Sequence, residues 1–177
     1  MIGVLVSGRG TNLEALIDAQ LPIAAVASNR PAIPALERAE AASIPSRVFE
    51  LDRYESREAR DREMADWLEL RGVDLVVLAG YMHLLTAPFL ERFPQRIVNV
   101  HPSLLPAFPG AHPIDDALAS GVDTTGVTVH YVDEGVDTGA VIRQETVDVE
   151  PRDTLPDRIH AVEHRLLPEV VRGLCAH

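Results

Sequence analysis

Ile2-Gly3-Val4-Leu5-Val6-Ser7-Gly8-Arg9-Gly10-Thr11-Asn12 is a short apolar run that breaks at two glycines, and Leu13, Leu16 and Ile17 then follow at helical spacing. An apolar run, a glycine turn and an amphipathic helix make up the first half of a strand–helix–strand unit. The same alternation recurs outward from this stretch. Ile23 to Ala27 is a second apolar run, Pro34 to Ala42 reads as a helix, and Ser46 to Phe49 as a short strand. Ser56 to Leu70 reads as an amphipathic helix. Met64, Trp67 and Leu68 lie on one face with charges opposite, and Gly72 stops it. Leu75-Val76-Val77-Leu78-Ala79, closed by Gly80, and Ile97-Val98-Asn99-Val100 are buried-strand runs. Alternation of this kind predicts a parallel sheet covered on both faces.

The second half changes character. From Thr124 to Val132, Val127, Val129 and Tyr131 alternate with Thr128 and His130. A glycine-flanked loop over 133–139 follows, then a strand over 140–147 and a last helix from about Leu155. Two strands joined by a short loop predict a hairpin. The expected fold is therefore α/β: a Rossmann-like, open, mostly parallel twisted sheet with helices on both faces and an antiparallel edge hairpin. With no repeats and no linker, residues 1–177 are expected to form one domain.

Composition narrows the function classes. The 177 residues are 46% apolar and 24% charged, ordinary for a globular chain. No apolar run approaches the ~20 residues of a membrane span. The N-terminus carries neither a basic n-region nor a cleavage site, so a cytoplasmic protein is expected. The single cysteine, Cys175, excludes an internal disulfide framework or a cysteine-rich metal site. A net charge of −11 argues against a nucleic-acid partner. It also means that a bound phosphate must be held by local dipoles and a few cations.

Three segments carry chemistry. The first is Ser7-Gly8-Arg9-Gly10-Thr11-Asn12, between a strand and a helix. Free amides and the helix dipole make a phosphate site there, and Thr11 or Asn12 can cap the helix or bind an oxygen. The dinucleotide fingerprint fits badly, because Leu13 stands at its third glycine and Ser28-Asn29-Arg30 supplies no acidic residue. The alternative is an ordinary tight turn. The second segment is Asn99-Val100-His101-Pro102-Ser103-Leu104-Leu105-Pro106, at the carboxyl end of a predicted strand, where open α/β sheets bind ligands. Residues two apart on a strand point the same way, so Asn99 and His101 converge. A histidine moves protons near neutral pH and an asparagine offers a neutral donor to an oxyanion. A capping Asn and a satisfied His would look the same. The third segment is Gly135-Val136-Asp137-Thr138-Gly139, whose carboxylate, if it reaches His101, would orient the ring and favour its charged form.

These segments, with Leu78-Ala79-Gly80-Tyr81-Met82 and Phe108-Pro109-Gly110, occur in an order that resembles the formyltetrahydrofolate-dependent formyltransferases over nearly the whole chain. Within that superfamily the glycine loop is similar to the branch that formylates glycinamide ribonucleotide in purine biosynthesis. The resemblance implies that Asn99, His101 and Asp137 are catalytic, and that Gly10, Thr11 and Asn12 hold the substrate phosphate. It places Glu163 against the ribose, and Arg57, Met82, His83, Leu84, Leu85 and Asn99 along the folate site. It implies 10-formyltetrahydrofolate as co-substrate, small-molecule partners and no metal. Oligomeric state stays open between monomer and homodimer. Three positions depart from the pattern: Ala107 where a basic residue is common, His83 where an Arg is common, and the weakly basic stretch 111–116.

Rival readings remain. Within the superfamily these are an amino-sugar nucleotide formyltransferase and a formyltetrahydrofolate hydrolase. Outside it, His160-x-x-Glu163-His164 matches the inverted zincin pattern, with two His on one helix face. Little chain follows for a third ligand, and Glu169, the one carboxylate there, lies past Pro168. A plain helix face for both His is preferred. A non-catalytic nucleotide-binding module would have no use for Asn99, His101 and Asp137 together.

Overall fold

The computed structural model describes residues 1–177. The chain divides into two compact units, Met1–Val98 and Asn99–His177.

The first unit contains strands β1 (Ile2–Val6), β2 (Ile23–Ser28), β3 (Ser46–Val48) and β4 (Leu75–Leu78), with helices α1 (Thr11–Asp18), α2 (Pro34–Ala41), α3 (Arg57–Leu70) and the short α4 (Ala87–Leu90). β1 pairs in parallel with β2 and β4, and β2 pairs in parallel with β3. All five residues of β1 and all four of β4 are buried. That is the signature of strands covered on both faces, and it explains their unbroken apolar sequence. Gly3 is required by a close approach: a Cβ there would lie 2.9 Å from Val73 Cγ1 and 3.0 Å from Leu68 Cδ2.

Helix α3 begins where Ser56 Oγ accepts from the Ala59 amide at 3.1 Å, and Gly72, at φ 76°, follows its end in the left-handed conformation. Its faces differ from the sequence expectation. Met64, Ala65 and Leu68 are buried as expected, but Arg60 and Asp61 are buried with them and Trp67 is only half-buried. The apolar pattern is overridden because Arg60 and Asp61 form a buried ion pair inside the unit, with Arg60 Nε donating to Asp61 Oδ1.

Strand β5 (Ile97–His101) runs across the boundary. The second unit continues with α5 (Pro113–Ser120), β6 (Thr124–Tyr131), β7 (Val141–Asp148) and the long helix α6 (Leu155–Cys175). The sheet is seven-stranded, in the order β3-β2-β1-β4-β5-β6-β7. β6 and β7 form the expected antiparallel hairpin, from Thr124 opposite Asp148 to His130 opposite Val141. β6 is buried from Thr125 to His130 on both faces, not half-polar as its alternation suggests. Thr128 and His130 are instead tied up in hydrogen bonds, and Thr125 Oγ1 is buried without a partner. α6 packs on β6 and β7 through Leu155, Ile159, Leu166, Leu167, Val170 and Val171, and Glu163 is buried in the same stripe. No helix is long and apolar enough to cross a membrane.

Candidate active site

The second unit holds a cluster built on the end of β5. His101 Nε2 lies 2.8 Å from the Phe108 carbonyl oxygen, which can only accept, so Nε2 carries a hydrogen. The other nitrogen, Nδ1, faces Asp137 Oδ2 at 3.5 Å. The same Oδ2 accepts from the Gly110 amide at 2.9 Å. Asp137 Oδ1 lies 3.7 Å from His130 Nε2. His130 Nδ1 donates to the Tyr131 carbonyl at 2.8 Å, which leaves Nε2 as a lone pair facing Asn99 Nδ2 at 3.4 Å. Burial pushes the His130 pKa down, against the pull of Tyr131 and Asp137. A neutral His130 leaves the Asp137 charge to His101.

The backbone around the pair is strained. Phe108 and Asp137 both take left-handed conformations, at φ 52° and 54°. Asp tolerates this region, whereas a bulky Phe does not readily enter it. The strain at Phe108 aims its carbonyl at His101. A polar framework holds the turn in place. Ser103 Oγ donates to the Ala107 carbonyl at 2.6 Å and lies 3.2 Å from that of Phe108. Thr128 Oγ1 donates to the Ser103 carbonyl at 2.7 Å and accepts from the Leu105 amide at 3.1 Å. Gln144 Nε2 donates to the Leu105 carbonyl at 2.8 Å.

The glycine turn lies in the first unit. Gly10 caps α1 in the left-handed conformation, and a Cβ on it would come within 2.6 Å of Ala35 Cβ. Neither Thr11 nor Asn12 caps the helix, so of the two roles open to them the structure rules out capping. The helix therefore starts without a side-chain acceptor for its first amides. Asn12 Oδ1 is buried and has no partner. Arg38 steadies the turn by donating to the Arg9 carbonyl at 2.9 Å and pairing with Glu14 at 3.0 Å.

The segment after β4 is held by side chains of the same unit. The Met82 amide donates to Ser7 Oγ at 2.9 Å, and Arg57 Nη2 donates to the Leu84 carbonyl at 2.7 Å. Thr86 gives both its amide and its hydroxyl to Asp61 Oδ2, each at 2.8 Å. The Met82 and Leu84 side chains are left 72% and 52% exposed, while Leu85 is buried. Burial and the nearby Arg60 and Arg57 push the His83 pKa down.

On α6, Glu163 Oε2 lies 2.8 Å from His160 Nδ1, and the His160 and His164 rings stack 6.4 Å apart. His164 Nε2 is buried without a partner, and burial pushes the pKa of this ring down. No group of three or more His, Cys, Asp or Glu side chains is placed to hold a metal ion.

A family model described as formyl transferase matches residues 1–171. The chain belongs to the formyl transferase family. Among similar family proteins, phosphoribosylglycinamide formyltransferase of Bacillus subtilis (strain 168) is 41% identical over 180 residues, covering 97% of this chain and 92% of that protein. The trifunctional purine biosynthetic protein adenosine-3 of Drosophila melanogaster is 45% identical over 98% of this chain, which spans only 14% of that protein's length. The crystal structure of phosphoribosylglycinamide formyltransferase from Bacillus halodurans superposes with a TM-score of 0.94 at 43% identity, covering 98% of this chain and 94% of that one. Glycinamide ribonucleotide transformylase 1 from Symbiobacterium toebii gives a TM-score of 0.93 at 48% identity, covering 97% and 85%.

The geometry gathers Asn99, His101 and Asp137, the residues that the formyl transferase resemblance singles out, within one cluster. His130 belongs to that cluster too, and its sequence signal is a lone polar ring alternating within an apolar strand. Two residues of this family member had no such signal: Arg60 and Asp61 read as the wet face of a helix and are fully buried.

Proposed function

We propose that this formyl transferase moves the formyl group of 10-formyltetrahydrofolate to the amine of glycinamide ribonucleotide, by direct transfer through a tetrahedral intermediate. The observation that carries the reading is the Asn99–His101–Asp137 cluster in a chain 41% identical to a phosphoribosylglycinamide formyltransferase that it nearly matches in length.

In this reading the acceptor amine attacks the formyl carbon, and charge develops on its oxygen. Asn99 Nδ2–H and protonated His101 are the donors that stabilise it. Removing one donor of this kind costs about 3–4 kcal/mol of barrier. The hydrogen on His101 Nε2 must pass from the Phe108 carbonyl to the developing oxyanion. Ser103 Oγ stays within 3.2 Å of that carbonyl and can satisfy it in turn. Asp137 compensates the charge on His101; as the intermediate collapses, the bond from the formyl carbon to the folate nitrogen breaks, and that nitrogen takes the proton lost by the amine, relayed through this carboxylate and water. Gly10, Thr11 and Asn12 would take the phosphate on the amides at the start of α1, which no side chain caps. Glu163 would face the ribose hydroxyls. Arg57 and Met82–Leu85 would take the folate, whose flat rings can lie against the exposed Met82 and Leu84.

The test is a formyl-transfer assay with glycinamide ribonucleotide and formyltetrahydrofolate, following free tetrahydrofolate. Turnover that requires the acceptor and falls by about 100-fold or more in His101→Ala is expected. Folate consumption without acceptor would replace this reading with a hydrolase. Turnover only with amino-sugar nucleotides would replace the acceptor.

A further inference from the structure

We propose that Arg60, held by Asp61, is a positioning residue for the Met82–Leu85 segment and acts through the His83 ring. The inference rests on the reading of that segment as the folate site.

Arg60 and Asp61 side chains are both 0% exposed, and Arg60 Nε donates to Asp61 Oδ1 at 2.9 Å. A buried guanidinium is costly unless its donors are matched. Only part of this one goes to Asp61. Nη1 points at His83 Nδ1, 2.6 Å away. A guanidinium can only donate, so Nδ1 must accept, and the hydrogen of the neutral ring sits on Nε2. Nε2 is 3.2 Å from the Asn29 amide, whose other end is 2.6 Å from Ser7 Oγ. Asn29 stands with Oδ1 toward Ser7 and Nδ2 toward His83, but the ring N–H calls for the opposite amide orientation, with the oxygen to His83 and the NH2 to Ser7. Ser7 Oγ in turn receives the Met82 amide.

One chain of hydrogen bonds therefore runs from Asp61 through Arg60, His83, Asn29 and Ser7 to the Met82 backbone. Asp61 closes it from the other side by taking Thr86. Arg57 fixes Leu84 between them. Adding a proton to Nδ1 would set two donors face to face and break the chain at the 2.6 Å link between Arg60 and His83. The charged groups acting on the His83 ring are Arg60, Arg57 and Asp61, and Tyr81 is its ring neighbour. Tyr81 is itself buried, with its pKa pushed up to about 12. It stays neutral while His83 titrates.

The experiment compares Arg60→Lys, His83→Leu and His83→Gln with wild type in steady-state kinetics across pH. Lysine keeps a charge beside Asp61 but cannot reach both Asp61 and His83. Leucine removes the link from a half-buried loop position without touching the ion pair. Glutamine can accept from Arg60 and donate to Asn29, but it cannot take a proton. Arg60→Lys and His83→Leu are expected to raise KM for the formyl folate roughly tenfold while KM for the acceptor stays within about twofold. His83→Gln is expected to recover most of the folate affinity and to flatten the rise in folate KM that wild type shows as pH falls. An unchanged folate KM in His83→Leu, or an equal rise in both KM values, overturns the proposal. Amide hydrogen exchange over 82–86 is read in parallel. If wild type transfers no formyl group, the functional reading fails, and faster exchange in both Arg60→Lys and His83→Leu still supports the positioning role. Unchanged exchange there refutes it.

Discussion

Replacing Asp137 with Asn removes a charge while keeping the shape of the side chain. The Gly110 amide keeps an oxygen acceptor at the position it now bonds at 2.9 Å, so the loop should hold. What changes is the face seen by His101. At the 3.5 Å separation of Oδ2 and Nδ1, a carboxylate and an imidazolium attract by about 5 kcal/mol at an effective dielectric of ~20. Both side chains are mostly buried, so solvent screens little of this, but desolvation offsets part of it. Roughly 2–3 kcal/mol is a reasonable net loss. The asparagine NH2 then takes the Oδ1 position, 3.7 Å from His130 Nε2, and His101 Nδ1 is left facing a neutral oxygen. A fall in kcat of about 100-fold follows, with KM for both substrates changed little, since the charge matters in the transition state. The assay is steady-state release of tetrahydrofolate at saturating substrates, with circular dichroism to establish folding. A variant that keeps kcat within about threefold of wild type would refute the role given to Asp137.

Two further outcomes concern stability. His83, His130 and His164 all have pKa values lowered by burial from the ordinary 6.5, so the folded chain excludes protons that the unfolded chain takes up. Stability is therefore flat above that value and declines as pH falls below it, and a urea midpoint at about pH 5.5 should lie clearly under that at about pH 7.5; equal midpoints would contradict the burial argument. Gly10→Ala combines a left-handed φ with overlap on Ala35, and should cost about 2–4 kcal/mol, read as a drop of several degrees or more in Tm; a melt within a degree of wild type would mean the turn is not constrained as described.

Much of the fold was legible because the decisive signals are local. An unbroken apolar strand such as β1, a glycine that must turn the chain at Gly10, and a serine cap at Ser56 each act through a few neighbouring residues. The Asn99–His101 pair was legible because strand geometry alone brings residues two apart to one side. The meeting with Asp137, 36 positions after His101 in the sequence, was not, because nothing local dictates which loop reaches a strand end. Arg60 and Asp61 were misread for a related reason. Periodicity treats every charge as a preference for water, and a pair of opposite charges that neutralise each other escapes that rule. His130 fell between the two cases: its strand position was clear, but its neutral state depends on burial that alternation does not report. The start of α1 shows the opposite error, where a Thr and an Asn invited a capping role that Gly10 leaves unfilled.

The bonds that pin Met82, His83, Leu84 and Thr86 have a consequence for inhibitors. A compound lying against this segment meets a backbone already immobilised by its own protein, so little ordering entropy opposes its affinity. The same design separates what a drug touches from what keeps it bound. Escape from such a compound need not alter a contacting side chain, because a change at Ser7, Asn29 or Arg60 would loosen the surface from behind. Resistance surveys confined to residues within reach of the compound would overlook those positions.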